Sequence, residues 1–462
     1  MASTDQLTTG EYPWTRAAAP SRPAPAPIPW VADALGVAAG LGLGVIVAIL
    51  VANESRATLA APGGVLTALG RLTGFTGTYL MLIMIVLISR LHWLERVAGQ
   101  DRLVRWHRTI GGWPIVLIAA HIVFITLGYA QTTNVGPLHQ FWTILAHYPD
   151  ILASLVGFAL LVLAGVSSAK IARRRLKYET WWAVHLYMYL ALALAFAHQI
   201  KIGVPFLGHP LTRDFWIALW VVVGLVALSY RVITPLVKNL RYQLRVASVT
   251  EEVPGVYSLT FTGRNLSRLA VAGGQFFQWR FFAKDLWWHS HPFSLSAMPQ
   301  PPYLRITVKA VGDQSSALAR VRPGTRVFVE GPYGTFTKHA RSSDHVTLIG
   351  AGVGITPLRA ILEDLPAQVN VSVIIRASSV NGVIHRDEIQ ALVEARNGDY
   401  HEVIGPRARV RLDARALRKI VTNLHHGDVY ICGPHDFAND IETAVIKAGV
   451  GTERIHREQF AF

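Results

Sequence analysis

Four histidines lie within long apolar runs in the first half of the chain, where ionisable residues are rare and usually functional. His107 and His121 share one run, fourteen residues apart, and His185 and His198 share another, thirteen residues apart. On an α-helix either spacing corresponds to about 20 Å. If the two helices run in the same direction, the histidines form two pairs at two depths. We predict that each pair holds the iron of a b-type haem, because ligation by two imidazoles suits electron transfer.

An alternative places these histidines at helix ends, where they cap or hydrogen-bond to neighbouring groups. Matched pairs on two helices favour ligation. The thirteen-residue spacing is a difficulty, because it separates His185 and His198 by about 140° around an ideal helix. Either the two rings reach the bundle interior from opposite flanks, or the helix is deformed.

Two arginines in the second apolar run fall at depths that match the two histidine pairs. Arg71 and Arg90 are nineteen residues apart, which is about 28 Å along a helix. Arginine pairs well with carboxylates, so we predict that Arg71 binds the propionates of the outer haem and Arg90 those of the inner one. The alternative is that both side chains snorkel to the membrane interface.

These side chains need membrane-spanning helices to position them. Lys and Arg are concentrated in the loops after the second and fourth apolar runs and after the sixth, whereas 131–149 has none and 201–213 has only two. By the positive-inside rule, we predict a multi-pass cell-membrane protein with both termini in the cytoplasm. The third and fifth helices then run in the same direction. The six runs, each of about 20 residues, lie near 31–52, 67–91, 107–130, 150–169, 180–200 and 214–236.

Composition sets limits on function. The net charge of +15 lies largely in short loops between apolar runs, so it fits membrane topology, and we predict no nucleic-acid partner. The single cysteine, Cys432, excludes an intramolecular disulfide, a cysteine-ligated zinc site and a four-cysteine iron–sulfur cluster.

The second half of the chain has the pattern of two soluble domains. From Tyr242 the apolar residues recur with a period of two, which predicts a small antiparallel β-barrel. From about residue 344, strands alternate with helices, which predicts a parallel α/β domain. The predicted fold is therefore a multidomain membrane protein. Its predicted parts are a disordered arm (1–29), an all-α six-helix transmembrane haem domain (30–238), an antiparallel β-barrel domain (239–340) and an α/β parallel-sheet nucleotide-binding domain (341–462).

The barrel region contains two segments suited to a flavin nucleotide, and we predict that the barrel binds FAD. In the strand His291–Ser294, alternation places the Ser294 hydroxyl beside a flavin ring edge. The second segment runs from Lys309 to a turn at Gly312, whose backbone N–H groups approach a pyrophosphate.

Ser315 and Ser316 follow that turn and begin a predicted helix, whose N-terminus attracts anions. A Gly-Asp-x-Ser turn is also a common helix cap, and that alternative stays open.

A glycine-rich loop between a strand and a helix is the strongest nucleotide-binding motif. Gly350, Gly352 and Gly354 place a dinucleotide pyrophosphate at the helix N-terminus. Their spacing is not G-x-G-x-x-G, so an ordinary Rossmann dehydrogenase is disfavoured. Cys432 and Gly433 end a later strand, at the edge where open α/β sheets bind ligands. The alternative for Cys432 is a buried apolar residue.

Arg376 follows the second strand of the α/β domain, where an adenosine 2′-phosphate would lie. Since no acidic residue stands immediately there, the sequence favours NADPH over NADH.

Together these motifs resemble the ferric reductase/NADPH oxidase family from about residue 67 to residue 462. The resemblance implies a six-helix domain that holds two haems, fused to a ferredoxin–NADP reductase-type module. It implies that Ser294, Cys432 and Phe462 act in catalysis, with Phe462, or Phe460 as second candidate, stacked on the flavin. The implied binding residues are His291, Pro292, Phe293 and Ser294 for FAD; Gly350, Gly352, Gly354, Thr356 and Pro357 for the nicotinamide nucleotide; Cys432, Gly433 and Pro434 for the nicotinamide pocket; and Arg71 and Arg90 for the haems.

The resemblance implies electron transfer from cytoplasmic NAD(P)H through FAD and two haems to an extracytoplasmic acceptor, either a ferric chelate or O2 giving superoxide. Eukaryotic oxidases of the family carry a further histidine one turn after the outer ligand on the third helix. Here that position is Ile125, which favours a metal chelate or another acceptor over O2. The alternative function is a haem-binding membrane subunit that donates electrons to a partner protein. The fused flavin and nucleotide motifs argue against it, and the sequence does not indicate the oligomeric state.

Overall fold

The computed structural model describes residues 29–203, 206, 209–406 and 410–459. The chain divides at Val232–Ile233 into two compact units. The predicted arm at 1–29 lies outside the described residues, apart from Pro29. The predicted domain boundaries at residues 238 and 340 stay predictions.

The first unit is entirely helical. Its helices are α1 (Pro29–Ala52), α2 (Arg56–Ala60), α3 (Gly64–Ile88), α4 (His92–Ala98), α5 (Gln100–Ile110), α6 (Trp113–Thr133), α7 (Pro137–His147), α8 (Ile151–Ser168), α9 (Lys170–Arg175), α10 (Tyr178–Ile202) and α11 (Pro210–Leu228). Among the described residues, six helical stretches are long and apolar enough to cross a membrane, which confirms the six predicted spans. They are Asp33–Ala52, Gly64–Ile88, Arg102–Thr133, Ile151–Ser168, Thr180–Ile202 and Pro210–Tyr242.

Glycines allow two pairs of these helices to pack closely. On α3, a Cβ added to Gly70 would lie 2.7 Å from Cγ1 of Ile125 on α6. On α8, a Cβ added to Gly157 would lie 2.8 Å from the carbonyl oxygen of Ala191 on α10. Small residues give helices this close approach in lipid, where no hydrophobic force drives helix association. As a result, α3 packs on α6, and α8 packs on α10.

The third span is interrupted. It consists of α5 and α6, joined by a turn at Gly111 and Gly112, and Pro114 stands in the first turn of α6. The φ and ψ angles of both glycines remain in the right-handed region. The sequence predicted one continuous run here, and the structure corrects this to two helices, with His107 on the first and His121 on the second.

The second unit contains the barrel and the α/β domain. Its elements are α12 (Thr234–Tyr242), β1 (Arg245–Val253), β2 (Val256–Thr262), β3 (Phe276–Phe281), β4 (His291–Ser294), β5 (Tyr303–Lys309), α13 (Asp313–Leu318), β6 (Val327–Tyr333), β7 (His345–Ala351), α14 (Ile355–Asp364), β8 (Asn370–Ala377), α15 (Arg386–Glu394), β9 (Asp399–Ile404), α16 (Ala414–Ile420), β10 (Asp428–Gly433), α17 (His435–Lys447) and β11 (Ile455–Gln459).

The first six strands form the predicted antiparallel barrel. They make two three-stranded sheets, β1-β2-β5 and β4-β3-β6. Single bridges from Leu295 to Ile306 and from Arg245 to Arg326 join the two sheets at both edges. Burial alternates along β3, as expected for a strand with one face on a core, and Trp279 is fully buried there.

The last five strands form a parallel sheet in the order β11-β10-β7-β8-β9. From Val346 to Ala351, every residue of β7 is buried, as is typical of strands covered by helices on both faces. This confirms the predicted α/β domain, and it places the carboxyl ends of β7 and β10 side by side.

A buried ion network joins the barrel to the α/β domain. Arg305 on β5 and Arg359 on α14 both bind the same carboxylate oxygen of Glu388, at 2.7 Å and 2.6 Å. Arg359 also pairs with Glu363, which accepts a hydrogen bond from the backbone N–H of Met298 at 2.8 Å. Burial alone would raise the pKa of Glu388, but its hydrogen bonds and ion pairs, first of all that with Arg305, hold it well below its usual range. The carboxylate is therefore charged, and it fixes the two domains together.

Candidate functional site

The first histidine pair consists of His107 on α5 and His185 on α10. Their ring centroids are 6.2 Å apart and the ring planes meet at 71°. Nδ1 of His107 lies 3.3 Å from the carbonyl oxygen of Met84 on α3. Nδ1 of His185 lies 3.3 Å from the hydroxyl oxygen of Ser168 on α8. The third and fifth spans thus bring this predicted pair together.

The second pair consists of His121 on α6 and His198 on α10, which line one cavity. Nδ1 of His121 lies 2.7 Å from the carbonyl oxygen of Gly70 on α3. Nδ1 of His198 lies 2.7 Å from the hydroxyl oxygen of Ser154 on α8. The ring of His121 occupies the space left by a glycine, since a Cβ on Gly74 would lie 2.7 Å from its Nδ1.

The two pairs share one arrangement. Every Nδ1 atom is hydrogen-bonded to a helix that carries no predicted iron ligand. That helix is α3 for His107 and His121, and α8 for His185 and His198. A hydrogen bond at Nδ1 fixes the ring and leaves Nε2 as the metal-binding atom. The helix α10 is unbroken from Tyr178 to Ile202, so its two rings reach the interior from different flanks and not through a deformed helix.

This donor set fits a b-type haem. Across the described residues, no group of three or more His, Cys, Asp or Glu side chains is placed to hold a metal ion by itself. A haem iron takes four nitrogens from its porphyrin and only two from the protein. The cavity at His121 and His198 is lined mainly by apolar side chains, including Phe158, Leu161 and Ile125, which suits the porphyrin.

The structure places Arg71 beside one histidine pair and Arg90 just beyond the end of α3. Arg71 lines the same cavity as His121, and its Nη1 binds Oε1 of Glu54 at 2.6 Å. Arg90 follows the end of α3 with a φ of 61°, and its Nη1 lies 3.9 Å from Oε1 of Glu95. Both guanidinium groups thus have a carboxylate neighbour in the protein, and their binding to propionates stays a prediction.

The predicted flavin strand carries two buried polar atoms without a hydrogen-bond partner among the described residues, Nε2 of His291 and the hydroxyl of Ser294. Burial, and then the neighbouring His289, lower the pKa of His291 to about 4, so the ring is neutral at pH 7. On the same strand, Phe293 lies parallel to His291, with ring centroids 5.9 Å apart, and Pro292 is exposed. A polar ring edge such as that of a flavin fits these two atoms.

The predicted pyrophosphate turn is a helix cap in the structure, as the alternative proposed. The hydroxyl oxygen of Ser315 accepts hydrogen bonds from the backbone N–H groups of Val311 and Gly312, at 2.9 Å and 3.0 Å. Lys309 ends β5 and is exposed, and Ser316 lies in the first turn of α13. Binding of FAD by these residues stays a prediction.

The glycine loop and the strand β10 meet in the structure. Gly350 is paired in register with Cys432. A Cβ on Gly354 would lie 2.4 Å from the carbonyl oxygen of Cys432, so only glycine allows this contact. Thr356 is buried and donates to the carbonyl oxygen of Val353 at 2.8 Å.

Other predicted nucleotide residues surround that contact. Gly352 has a φ of 55°. Pro357 lies buried in the first turn of α14, whereas Gly433 and Pro434 connect β10 to α17.

The side chain of Cys432 is fully buried in the hydrophobic core, and burial raises the pKa of its thiol. The alternative of a buried apolar residue describes this position, and a role toward the nicotinamide stays a prediction. Arg376 donates to the backbone carbonyls of Val403 and Gly405, at 3.2 Å and 2.7 Å, and so clamps the end of β9. Phe460 and Phe462 lie outside the described residues.

Comparison with known families identifies all three parts of the chain. Residues 73–196 match a family described as the ferric reductase like transmembrane component. Residues 256–337 match an FAD-binding domain, and residues 348–443 match an oxidoreductase NAD-binding domain. The chain thus contains segments similar to the ferric reductase like transmembrane component and to FAD-binding and NAD-binding oxidoreductase domains. The matched membrane segment contains His107, His121 and His185, and His198 lies two residues beyond its end.

Individual relatives match parts of the chain. Flavohemoprotein of Bacillus subtilis is 30% identical over 192 residues, which cover 37% of this chain and 47% of the relative. The ferredoxin reductase component of 3-ketosteroid-9-alpha-monooxygenase from Mycolicibacterium smegmatis is 30% identical, covering 47% of this chain and 65% of the relative. NADPH oxidase 1 of Mus musculus is 32% identical over 80 residues, which cover 16% of this chain and 14% of the relative. For most of these curated relatives the match spans about half of their length or less.

Among solved structures, the flavohemoglobin of Malassezia yamatoensis aligns with a TM-score of 0.43 and 16% identity, covering 86% of this chain and 100% of that protein. The FAD/NAD-binding domain of nitric oxide dioxygenase from Vibrio cholerae aligns with a TM-score of 0.38 and 22% identity, and the alignment covers 47% of this chain and 98% of that domain.

Sequence reasoning missed Ser154 and Ser168, the α8 partners of the fifth-span histidines. Their own spacing was a signal. They are fourteen residues apart, and so are Gly70 and Met84, the partners on α3. Serines fourteen residues apart in the fourth apolar run nearly match the thirteen-residue interval between His185 and His198, to which they are hydrogen-bonded.

Proposed function

We propose that this protein transfers electrons from NAD(P)H across a membrane to an acceptor on the other side. The observation that carries the proposal is the set of four imidazoles, paired at two levels, with every Nδ1 hydrogen-bonded to a neighbouring helix. The match to FAD-binding and NAD-binding domains supports a nucleotide as the electron source. When bound, FAD takes a hydride from NAD(P)H and releases single electrons, and haem iron accepts them one at a time.

In the membrane unit, His107 and His185 would hold one haem, and His121 and His198 the other. Gly70 and Ser154 orient the second pair, and Met84 and Ser168 orient the first. Hydrogen bonds of this kind fix the ring tautomer and raise the basicity of the ligand. The apolar side chains that line the cavity at His121 and His198 exclude water, and so favour a bound porphyrin.

In the soluble unit, the neutral ring of His291 and the hydroxyl of Ser294 offer polar contacts to the flavin without adding a charge. Gly354 lets the loop approach Cys432, so that the N-terminus of α14 stands at the carboxyl edge of the sheet. Helix N-termini at that edge bind pyrophosphate. Arg376 donates hydrogen bonds to backbone carbonyls and is not directed at an adenosine 2′-phosphate. Both NADPH and NADH therefore fit this geometry.

For the acceptor, we propose a ferric chelate as the first candidate and O2 as the second. The side chain of Ile125 lines the outer cavity and offers no hydrogen bond to O2 or superoxide, whereas reduction of a chelate at an exposed edge needs no such group.

An anaerobic titration of the purified full chain tests the proposal. The protein in detergent, supplied with FAD and haem, is mixed with NADPH or NADH, and the Soret and α bands are recorded. We expect nucleotide-dependent haem reduction, followed by reoxidation on addition of a ferric chelate or O2. A folded protein without a Soret band contradicts the proposal. A haem-loaded protein that no nucleotide reduces supports the alternative of a subunit that serves a partner protein.

A further inference from the structure

Four large aromatic side chains of the barrel are exposed as two contacting pairs, and three of the four lie within residues 282–288. Phe282, Trp287, Trp288 and Phe328 are 45%, 44%, 63% and 38% exposed. The ring centroids of Phe282 and Phe328 are 4.7 Å apart, and those of Trp287 and Trp288 are 3.9 Å apart. We call these four residues the aromatic patch. An exposed apolar group of this size is unusual on a soluble domain, and it marks an interaction surface.

Basic residues are interleaved with the aromatic patch. Arg280 is paired in register with Phe328 across β3 and β6. The carbonyl of Arg326 accepts a hydrogen bond from the N–H of Phe282 at 3.0 Å, and Lys284 follows two residues later. Among the residues that the structure describes, none of these three cations forms an ion pair. Asp285 is the acidic residue in the same loop, which leaves a net positive charge.

The strand that carries Phe328 is hydrogen-bonded to the helix that ends the sixth apolar stretch. That helix, α12, is the last part of the sixth apolar span, Pro210–Tyr242. Its Asn239 exchanges two hydrogen bonds with the backbone of Val329, at 2.8 Å and 2.9 Å. Phe328 precedes Val329 in β6, so this part of the aromatic patch is fixed to the helix that continues the sixth apolar stretch.

We propose that the aromatic patch lies in the headgroup layer of the bilayer and binds anionic lipids. Tryptophan prefers this layer, because its ring is apolar and its N–H still needs a polar partner. Lysine and arginine beside it are attracted to negatively charged headgroups. The proposal does not depend on electron transfer, since it rests only on the barrel surface and its tether.

Site-directed spin labelling of the full chain in lipid nanodiscs tests this proposal. The native Cys432 is fully buried, so a cysteine introduced by Trp288→Cys is the reactive one. Val380→Cys is the matched control, because Val380 is 53% exposed on the α/β domain. We expect the ratio of relaxation by lipid-soluble O2 to relaxation by a water-soluble nickel chelate to be several-fold higher at position 288 than at position 380.

The lipid charge and the cations supply the second measurement. We expect the preference for O2 at position 288 to be stronger in discs with phosphatidylserine than in discs of phosphatidylcholine alone. The double variant Lys284→Gln/Arg326→Gln should remove that difference. A label that the nickel chelate reaches as freely as at position 380 overturns the proposal, and so does a label shielded from both relaxants, which indicates a protein contact. If Trp288→Cys does not fold, Phe282→Cys provides the same test.

Discussion

The hydroxyl oxygen of Ser154 lies 2.7 Å from Nδ1 of His198 and donates its own proton to the carbonyl of Asp150 at 2.9 Å. In the His198 tautomer that leaves Nε2 for a metal, Nδ1 carries the proton and the Ser154 hydroxyl accepts it. At the other level, Ser168 also accepts from the indole N–H of Trp181 at 3.0 Å and lies 3.3 Å from Nδ1 of His185. The hydrogen bonds at His121 and His198 are therefore shorter than those at His107 and His185.

We expect Ser154→Ala to raise the midpoint potential of the outer haem and to weaken haem binding by about 10- to 100-fold, because His198 loses its hydrogen-bond acceptor and becomes a less basic ligand. A spectroscopic redox titration and the retained haem measure both effects. Ser167→Ala on the same helix is the control, since the Ser167 hydroxyl donates to the carbonyl of Ala164. Recovery in Ser154→Thr supports the hydrogen bond. An unchanged potential in Ser154→Ala contradicts it.

We expect His198→Ala to remove one of the two haems. The protein should keep about half of its haem per FAD, because the inner pair does not include that residue. The ratio is measured by the pyridine haemochrome and by released flavin. His147→Ala, which changes an exposed histidine at the end of α7, should keep both haems. A full haem content in His198→Ala rules out the assigned outer pair.

Gly74→Ala tests how closely α3 packs on α6. The added Cβ would lie 2.7 Å from Nδ1 of His121, so the ring must move, and we expect the outer haem to be lost while the inner one remains. In Gly224→Ala the new Cβ meets nothing within 4 Å. That control should keep both haems, because alanine is the better helix former by about 1 kcal/mol. Equal haem content in the two variants contradicts the packing.

Glu388→Gln leaves Arg305 and Arg359 buried without the charge that they share. Removing one member of a buried ion pair typically costs about 3–5 kcal/mol, so we expect a loss of that order in the free energy of unfolding of the soluble unit. The control is Asp344→Asn. Asp344 is 72% exposed and pairs with Arg341. Such a pair contributes about 0–1 kcal/mol. Denaturant unfolding, followed by flavin release, compares the two variants, and equal losses contradict the inferred importance of the network.

The lowered pKa of His291 makes the barrel sensitive to acid. The unfolded chain binds a proton at this residue near pH 6.5, but the folded barrel does so only near pH 4. Folding stability is therefore unaffected above pH 6.5 and falls as the pH drops from 6.5 to 4, by about 3 kcal/mol from this residue. We expect His291→Gln to reduce the slope of unfolding free energy against pH in that window. The control His345→Gln, at an exposed position, should keep the full slope. A slope that His291→Gln does not change contradicts the assignment.

Much of the architecture was predictable because its signals are local. Apolar length and loop charge gave the six spans, and period-two and strand–helix patterns gave the barrel and the parallel sheet. The pairing of the histidines followed from their spacing and from the direction of the helices. The sequence could not predict side-chain contacts between residues that are far apart in the chain. Nothing local distinguishes Ser154 from a serine bonded to its own helix, and nothing local indicates that Arg376 turns back to the end of β9. The turn at Gly111 was equally hidden, because both glycines keep right-handed φ and ψ angles and a helix continues on either side.

The acceptors of the four histidines sit on α3 and α8 at equal intervals of fourteen residues. The helices that carry no iron ligand therefore fix the distance between the two levels, since their acceptors set the position along the bundle at which each ring is held. One residue inserted between Ser154 and Ser168 would rotate one serine by about 100° and shift it by about 1.5 Å relative to the other. All four imidazoles would remain in the chain, yet only one level would keep its support. Selection on the distance between redox centres can thus act on residues that never touch a metal.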